Sequence, residues 1–128
     1  MNRLTENLLT LGGRLLMSLM FIMAAISKIG GYEGTQGYME SMGVPGMLLP
    51  VVIALELGGG LALLLGWQVR LMAFVLAGFT LIAALIFHAQ LADQMQSILF
   101  TKNLAIAGGL LFISAHGPGN WAWGHHEG

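Results

Sequence analysis

The 128-residue chain is 56% hydrophobic and 9% charged, with a formal net charge of −1 and no cysteine. Soluble domains carry about 25% charged residues, so this composition predicts an integral membrane protein whose main partner is the lipid bilayer. The near-zero charge excludes a basic surface for nucleic-acid phosphates, and no nucleic-acid partner is expected. The absence of cysteine excludes disulfides, thiolate metal ligands and thiol redox chemistry.

Four apolar stretches are long enough to cross a bilayer as helices, which takes about 20 residues. The predicted spans are residues 8–29, 47–66, 69–90 and 98–116. Short links follow the second and third spans, so successive helices are expected to be antiparallel neighbours. The sequence therefore predicts an all-α membrane protein, a single transmembrane domain over residues 1–128, with four helices in an up-down-up-down bundle.

The first span has some features of a signal peptide, because a basic start at Arg3 precedes an apolar run. Arg14 would interrupt the short apolar core of such a peptide, and the run is long enough to span a bilayer. The first apolar stretch is therefore predicted to be a transmembrane helix that is not cleaved. The loop that follows, residues 30–46, is rich in glycine, and a short interfacial helix is predicted within it at residues 36–42.

The distribution of basic residues predicts how the bundle is oriented in the membrane. Arg3, Arg14 and Arg70 fall on one side of the predicted bundle, and Lys28 and Lys102 fall on the other. The positive-inside rule then predicts that both termini are cytoplasmic. The adjacent histidines at the end of the chain, at positions 125 and 126, are interpreted as part of a solvated tail rather than as a metal site.

Among the polar side chains inside the predicted spans, four ionisable ones are singled out: Arg14, Glu56, His88 and Lys102. A charged residue at the centre of a spanning helix costs at least about 2.5–3.5 kcal/mol, so each of them suggests a function. Helical spacing predicts inward-facing stripes of polar and small residues on three spans. These stripes are Arg14, Ser18, Ala25 and Lys28; Arg70, Ala73, Ala77, Ala84 and His88; and Lys102, Gly109 and His116.

Axial depth predicts how these side chains pair. At about 1.5 Å per residue, Arg14 comes within reach of Glu56 near the midplane, so an Arg14–Glu56 structural ion pair is predicted. Such a pair either cancels charge and fixes helix register or takes part in chemistry, because paired buried charges alone do not indicate catalysis.

The same depth estimate predicts a second polar group at one mouth of the bundle. Lys28, His88, Lys102 and Asn103 come from three helices and fall in the outer third. Together they offer donors for a carbonyl or an anion and a histidine that exchanges protons near neutral pH. The alternative is that the lysines only extend to the lipid headgroups.

Haem and metal sites are not expected. His88 and His116 end neighbouring helices at opposite faces of the membrane, so they are too far apart to share one iron. The nine methionines are dispersed without a repeated ligand spacing, which is typical of ordinary packing.

Several segments together carry a family resemblance. They are Lys28-Ile-Gly-Gly-Tyr-Glu-Gly-Thr-Gln, Tyr38-Met-Glu-Ser-Met-Gly-Val-Pro-Gly, Glu56-Leu-Gly-Gly-Gly, Gly78-Phe-Thr-Leu, His88, Lys102-Asn-Leu and Gly117-Pro-Gly. With these segments the chain resembles the DoxX family, and more closely its YqjF-like bacterial inner-membrane members, over nearly its full length. The resemblance implies a four-helix protein of the bacterial inner membrane, associated with thiosulfate:quinone or other quinone-type redox metabolism.

These observations lead to one functional hypothesis and two alternatives. The hypothesis is a quinone-interacting membrane protein that works with a redox partner protein, with Glu56 and His88 in catalytic roles and Lys28, His88, Lys102 and Asn103 binding the quinone. The first alternative is a proton-coupled small-molecule transporter that uses Glu56. The second is a noncatalytic anchor or assembly subunit whose polar stripes dock another protein or a second copy in a homo-oligomer. Whether the chain is itself an enzyme is left open.

Overall fold

A computed structural model describes residues 2–88 and 90–122 of the chain. Within those ranges it contains no strand, and its helices are α1 (Arg3–Gly30), α2 (Tyr32–Ser41), α3 (Leu49–Leu65), α4 (Val69–Phe87) and α5 (Gln94–His116). A short 3-10 turn, Gly46–Leu48, leads into α3. Four helices, all but α2, are long and apolar enough to cross a membrane. The predicted all-α fold with four spanning helices is confirmed.

Side-chain capping explains where α1 and α5 begin. The Asn2 side chain accepts a hydrogen bond of 2.8 Å from the backbone of Thr5, so α1 starts five residues before the predicted span. Asp93 caps α5 in the same way through the backbone amides of Met95 and Gln96. The interfacial helix α2 begins at Tyr32, four residues earlier than predicted, directly after Gly31.

The short connection between α3 and α4 makes these helices antiparallel. It contains Gly66, with φ of 82°, and Gln68, with φ of 49°, and both lie in the left-handed region that reverses the chain after a helix. We call residues 117–122 the tail segment, and the end of the bundle that holds this segment and the α3–α4 connection the tail end. The opposite end, which carries α2, is the α2 end.

The helices pack as two close pairs, α1 with α3 and α4 with α5, and the pairs are joined mainly through α3 and α4. The core between them is formed by one cluster of buried apolar side chains: Phe21, Leu63, Val69, Ala73, Leu76, Ala77, Ala107 and Leu110. The small residues of α4 in this cluster let its neighbours approach closely, as is usual in membrane bundles.

Two of the three predicted stripes face inward at least in part. On α1, Arg14, Ser18 and Ala25 are buried, and Lys28 is half-buried, so that stripe is confirmed. On α4 the alanines of the stripe are buried, whereas Arg70 is exposed.

The predicted stripe on α5 is wrong, because both Lys102 and His116 are exposed. This helix packs on α4 through Ala107 and Leu110 instead. At 100° per residue, these two positions lie on a face turned about 80–140° away from Lys102. The alanines and leucines available for packing on that face decide the orientation of α5.

Candidate polar site in the membrane

The centre of the candidate site is an ion pair between the first two spanning helices. The Lys28 ammonium nitrogen lies 2.9 Å from the Oε1 atom of Glu56. The Glu56 side chain is only 5% exposed and that of Lys28 is 29% exposed, so the carboxylate is buried and the lysine reaches inward from the end of α1. A charge this deep in a spanning helix is rare unless it is paired or functional.

Glycine on α3 allows α1 to come close to this pair. A Cβ atom on Gly60, one turn from Glu56, would lie 3.2 Å from the backbone oxygen of Ser18 and 3.3 Å from the backbone nitrogen of Ile22. Such distances are tighter than ordinary van der Waals contact, so only glycine fits without moving α1. The close approach of the two backbones brings the Lys28 side chain within reach of the middle of α3.

The predicted Arg14–Glu56 ion pair is wrong. Arg14 donates from Nε to the carbonyl oxygen of Leu63 at 2.9 Å and from Nη2 to that of Leu64 at 3.0 Å. The antiparallel register of α1 and α3 places Arg14 opposite the end of α3, about 10 Å along the axis from Glu56. The depth estimate failed because it took the two helices as level with each other, whereas the middle of α1 lies opposite the last turns of α3, with Arg14 at Leu63 and Leu64.

Arg14 also holds the tail segment. Its Nη1 atom donates to the carbonyl oxygens of Pro118 at 2.9 Å and Trp121 at 2.8 Å. The last carbonyls of a helix have no partner within the helix and carry partial negative charge, so a guanidinium satisfies them well. With four carbonyl partners and only 2% exposure, Arg14 has a structural role.

At the α2 end, aromatic and polar contacts connect α2, α4 and α5. The ring of Tyr38 stacks on that of Phe87 with centroids 5.5 Å apart, and its hydroxyl lies 3.5 Å from the Phe87 carbonyl oxygen. The next residue, His88, has its Nδ1 atom 2.9 Å from Oε1 of Gln96.

The four residues predicted at this mouth do not form one described cluster. Lys28 pairs with Glu56, and His88 contacts Gln96. Lys102 is exposed and Asn103 is half-buried, and among the described residues the ion pair of Glu56 is with Lys28. The exposed position of Lys102 fits the headgroup-seeking alternative, and a quinone-binding role for Lys102 and Asn103 stays a prediction.

Sequence reasoning missed the tail segment, Tyr38 and Gln96 as parts of these sites. The Gly117-Pro118-Gly119 sequence was a signal of a sharp turn after α5, and Gly117 and Gly119 both have positive φ. Which backbone oxygens such a turn presents is a tertiary property, and no side-chain pattern reports it.

Two further features lie outside the polar site. A shallow apolar groove on α3, lined by Gly58, Leu61, Ala62, Leu65 and Trp67, faces away from Glu56 by about 190° around the helix. Among residues 2–88 and 90–122 no three His, Asp or Glu side chains are grouped to hold a metal ion. The two terminal histidines, 125 and 126, lie outside the described residues.

The fold and the site define a small four-span α-helical membrane protein with a buried Lys–Glu ion pair between its first two spans. The chain belongs to the DoxX family, whose model matches residues 9–89. That match covers the first three spans and includes both members of the ion pair.

Three curated relatives are similar to the chain. It is 50% identical to the inner membrane protein YqjF of Escherichia coli K12 over 91% of the chain and 90% of that protein. It is 34% identical to the inner membrane protein YphA of the same organism, over 87% and 84% of the two chains. A shorter match, 36% identical over 57% of the chain and 54% of the relative, is to the putative oxidoreductase CatD of Bacillus subtilis 168. No solved structure matches the chain.

Proposed function

We propose that this DoxX protein binds a quinone-type molecule in the bacterial inner membrane, beside the Lys28–Glu56 ion pair, and acts with a redox partner protein. The observation that carries the proposal is a cation and a carboxylate 2.9 Å apart inside a spanning region, next to the end of the bundle that bears His88 and two stacked aromatic rings. Its inner-membrane location is supported by the names of two relatives, YqjF and YphA.

The chemistry of the pair fits a quinone ring. A quinone carbonyl needs a hydrogen-bond donor, and an ammonium has three N–H donors. Lys28 has one described partner, so its other donors remain for a ligand. The Glu56 carboxylate is buried 2.9 Å from the ammonium, and a carboxylate in this position can accept or release a proton during quinone chemistry.

The neighbouring residues would complete such a site. A bound quinone supplies two-electron, two-proton redox chemistry. His88 would exchange protons with the aqueous side, and the stacked rings of Tyr38 and Phe87 would provide an apolar aromatic surface.

The electrons are assigned to a partner protein. The chain has no cysteine, and so no thiol pair to carry them. The printed name of the relative CatD, a putative oxidoreductase, supports a redox theme for the family without naming a substrate.

The test is direct binding. Protein purified from bacterial membranes is extracted and analysed for quinone by mass spectrometry, and a soluble short-chain quinone is then titrated by calorimetry. The proposal expects co-purified quinone and saturable binding, with no binding of a matched analogue whose carbonyl oxygens are replaced by hydrogen. The absence of both signals, or equal binding of the analogue, would contradict it.

A proton-coupled transporter is the second candidate, and the burial of Glu56 favours it. In that case Glu56→Gln would abolish substrate-driven proton movement in vesicles while quinone would not bind. The two functions therefore give opposite results in the calorimetric titration.

A further inference from the structure

The tail end of the bundle is closed by hydrogen bonds to backbone carbonyls, of which those to Leu63 and Pro118 are buried and those to Leu64 and Trp121 are part-buried. Arg14 holds the carbonyl oxygens of Leu63 and Leu64 on α3 and those of Pro118 and Trp121 on the tail segment. The same guanidinium thus fixes the tail segment against the end of α3.

Close packing completes this closure. The backbone of Gly66 lies against Ala122, whose Cα would be 2.8 Å from a Cβ at that glycine. A Cβ on Gly119 would lie 2.9 Å from Cγ2 of Thr10 on α1. Gly117 and Pro118 are both buried. The tail segment therefore fills the space between α1 and the α3–α4 connection.

The α2 end is covered much less firmly. Tyr38, which connects α2 to α4, is 46% exposed, and its hydroxyl contact is 3.5 Å long. Gln36 donates to the Gly46 carbonyl oxygen at 3.1 Å, which ties α2 to the segment before α3 and not to α1. Lys28 is 29% exposed at this end, about 21 Å along α1 from Arg14.

We infer that the buried carboxylate of Glu56 exchanges protons and small polar reagents only with the α2 end, and that Arg14 and the tail segment form the barrier on the other side. Arg14 is in this sense a positioning residue, because it acts through the tail segment and touches no ligand. The inference rests on the proposed function for its biological meaning, since it names the side from which the quinone site takes protons. Its test needs no quinone.

The chain carries its own reference groups for such a test. Glu6, near the start of α1, is exposed at the tail end, and Glu33 on α2 is exposed at the opposite end. A charged, membrane-impermeant carbodiimide with an amine nucleophile modifies carboxyl groups that it reaches from the aqueous side. Applied to sealed vesicles of either orientation, it reports the modified glutamates by peptide mass spectrometry. Glu56 is counted as modified whether it carries the added amine or an amide crosslink to the Lys28 nitrogen 2.9 Å away.

The expected result is that Glu56 is modified in the vesicles in which Glu33 is modified, and is protected in those in which only Glu6 is modified. In an Arg14→Ala variant, Glu56 should lose this preference and be modified equally from both sides. Arg3→Ala removes an exposed positive charge at the same end and should leave the preference unchanged.

A second variant keeps the test decisive if Arg14→Ala fails to fold. Deleting the residues after Gly117 removes the tail segment, leaves all five helices intact in sequence, and should open the tail end in the same way. Modification of native Glu56 together with Glu6, or from neither side, would overturn the inference, as would a one-sided pattern that survives the tail deletion. Because no quinone is present, these outcomes are independent of whether quinone binds.

Discussion

The ammonium of Lys28 lies 2.9 Å from the carboxylate of Glu56, and this contact joins the last turn of α1 to the middle of α3. The two partners differ in their surroundings, because Glu56 is 5% exposed and Lys28 is 29% exposed. Lys28 is two residues before the last residue of α1, Gly30, so its long side chain has an alternative position among the headgroups. Glu56 has no such alternative.

This difference predicts unequal effects when either partner is removed. Lys28→Met leaves a buried carboxylate without its cation, and breaking a buried pair in this way costs up to about 3–5 kcal/mol. Glu56→Gln leaves a lysine that can turn to the membrane surface, so its cost should be smaller. Unfolding of each variant in mixed detergent micelles, followed by circular dichroism, measures the two free energies.

The double variant is the control for this prediction. When Lys28→Met and Glu56→Gln are combined, no buried charge remains, and the loss of unfolding free energy should be less than the sum of the single losses by about 1–3 kcal/mol. Additive losses would show that the two side chains do not interact in the membrane.

Arg14 gives a second stability prediction. Arg14→Ala leaves four carbonyl oxygens without their donor, and each buried, unsatisfied polar group costs about 1–3 kcal/mol. A loss of at least about 3 kcal/mol is expected from the same unfolding measurement. Arg3→Ala serves as the control, because Arg3 is exposed, and it should change the unfolding free energy by less than about 0.5 kcal/mol. Equal effects of the two substitutions would contradict the role assigned to Arg14.

Three consecutive glycines on α3 allow a matched test of helix packing. A Cβ on Gly60 would lie 2.9 Å from Cγ1 of Ile22 and press on the α1 backbone, whereas a Cβ on Gly58 meets nothing within 4 Å. Gly60→Ala should therefore destabilise the protein by about 1–3 kcal/mol. Gly58→Ala should stabilise it by up to about 1 kcal/mol through helix propensity. Thermal unfolding in detergent compares them, and a destabilising Gly58→Ala would indicate that another molecule packs there.

Much of the fold was predictable because hydropathy and length determine which segments span a membrane. The low charge content and the four apolar runs were sufficient for the number of helices and their alternating direction. The polar stripe of α1 was also predictable, since Arg14, Ser18 and Ala25 recur on one helical face. The face of α5 that packs on α4 was not predictable from the polar stripe, because Lys102 lies on the lipid side while Ala107 and Leu110 provide the packing surface.

The sequence predicted which charged residues belong to the candidate site, but not which two of them form the ion pair. Arg14, Lys28 and Glu56 stand out because each is a charge within a span. Which cation meets Glu56 depends on how far α3 is displaced along α1, and a shift of about two helical turns exchanges one partner for the other. That shift is set by the close approach at Gly60 and by the backbone carbonyls that Arg14 binds.

His88 offers a prediction that separates structure from chemistry. Removing either His88 or Gln96 breaks the same 2.9 Å contact between α4 and α5, so His88→Ala and Gln96→Ala should both cost about 1 kcal/mol of stability. If His88 exchanges protons at a quinone site, only His88→Ala should also weaken the binding of a short-chain quinone. Calorimetric titration of both variants measures this, and equal affinities would remove His88 from the site.

The measurement that tests the central claim most directly compares two lysines. Lys28→Met removes the donor beside Glu56, and Lys102→Met removes an exposed lysine from α5. Loss of a hydrogen bond from a charged donor costs about 1.5–3 kcal/mol, so Lys28→Met should weaken quinone binding roughly tenfold to a hundredfold. Lys102→Met tests the predicted quinone-binding role of Lys102 against the headgroup-seeking alternative, and the exposed position of Lys102 favours an unchanged affinity. Unchanged binding in Lys28→Met, or a larger loss in Lys102→Met, would contradict a quinone site at the Lys28–Glu56 pair.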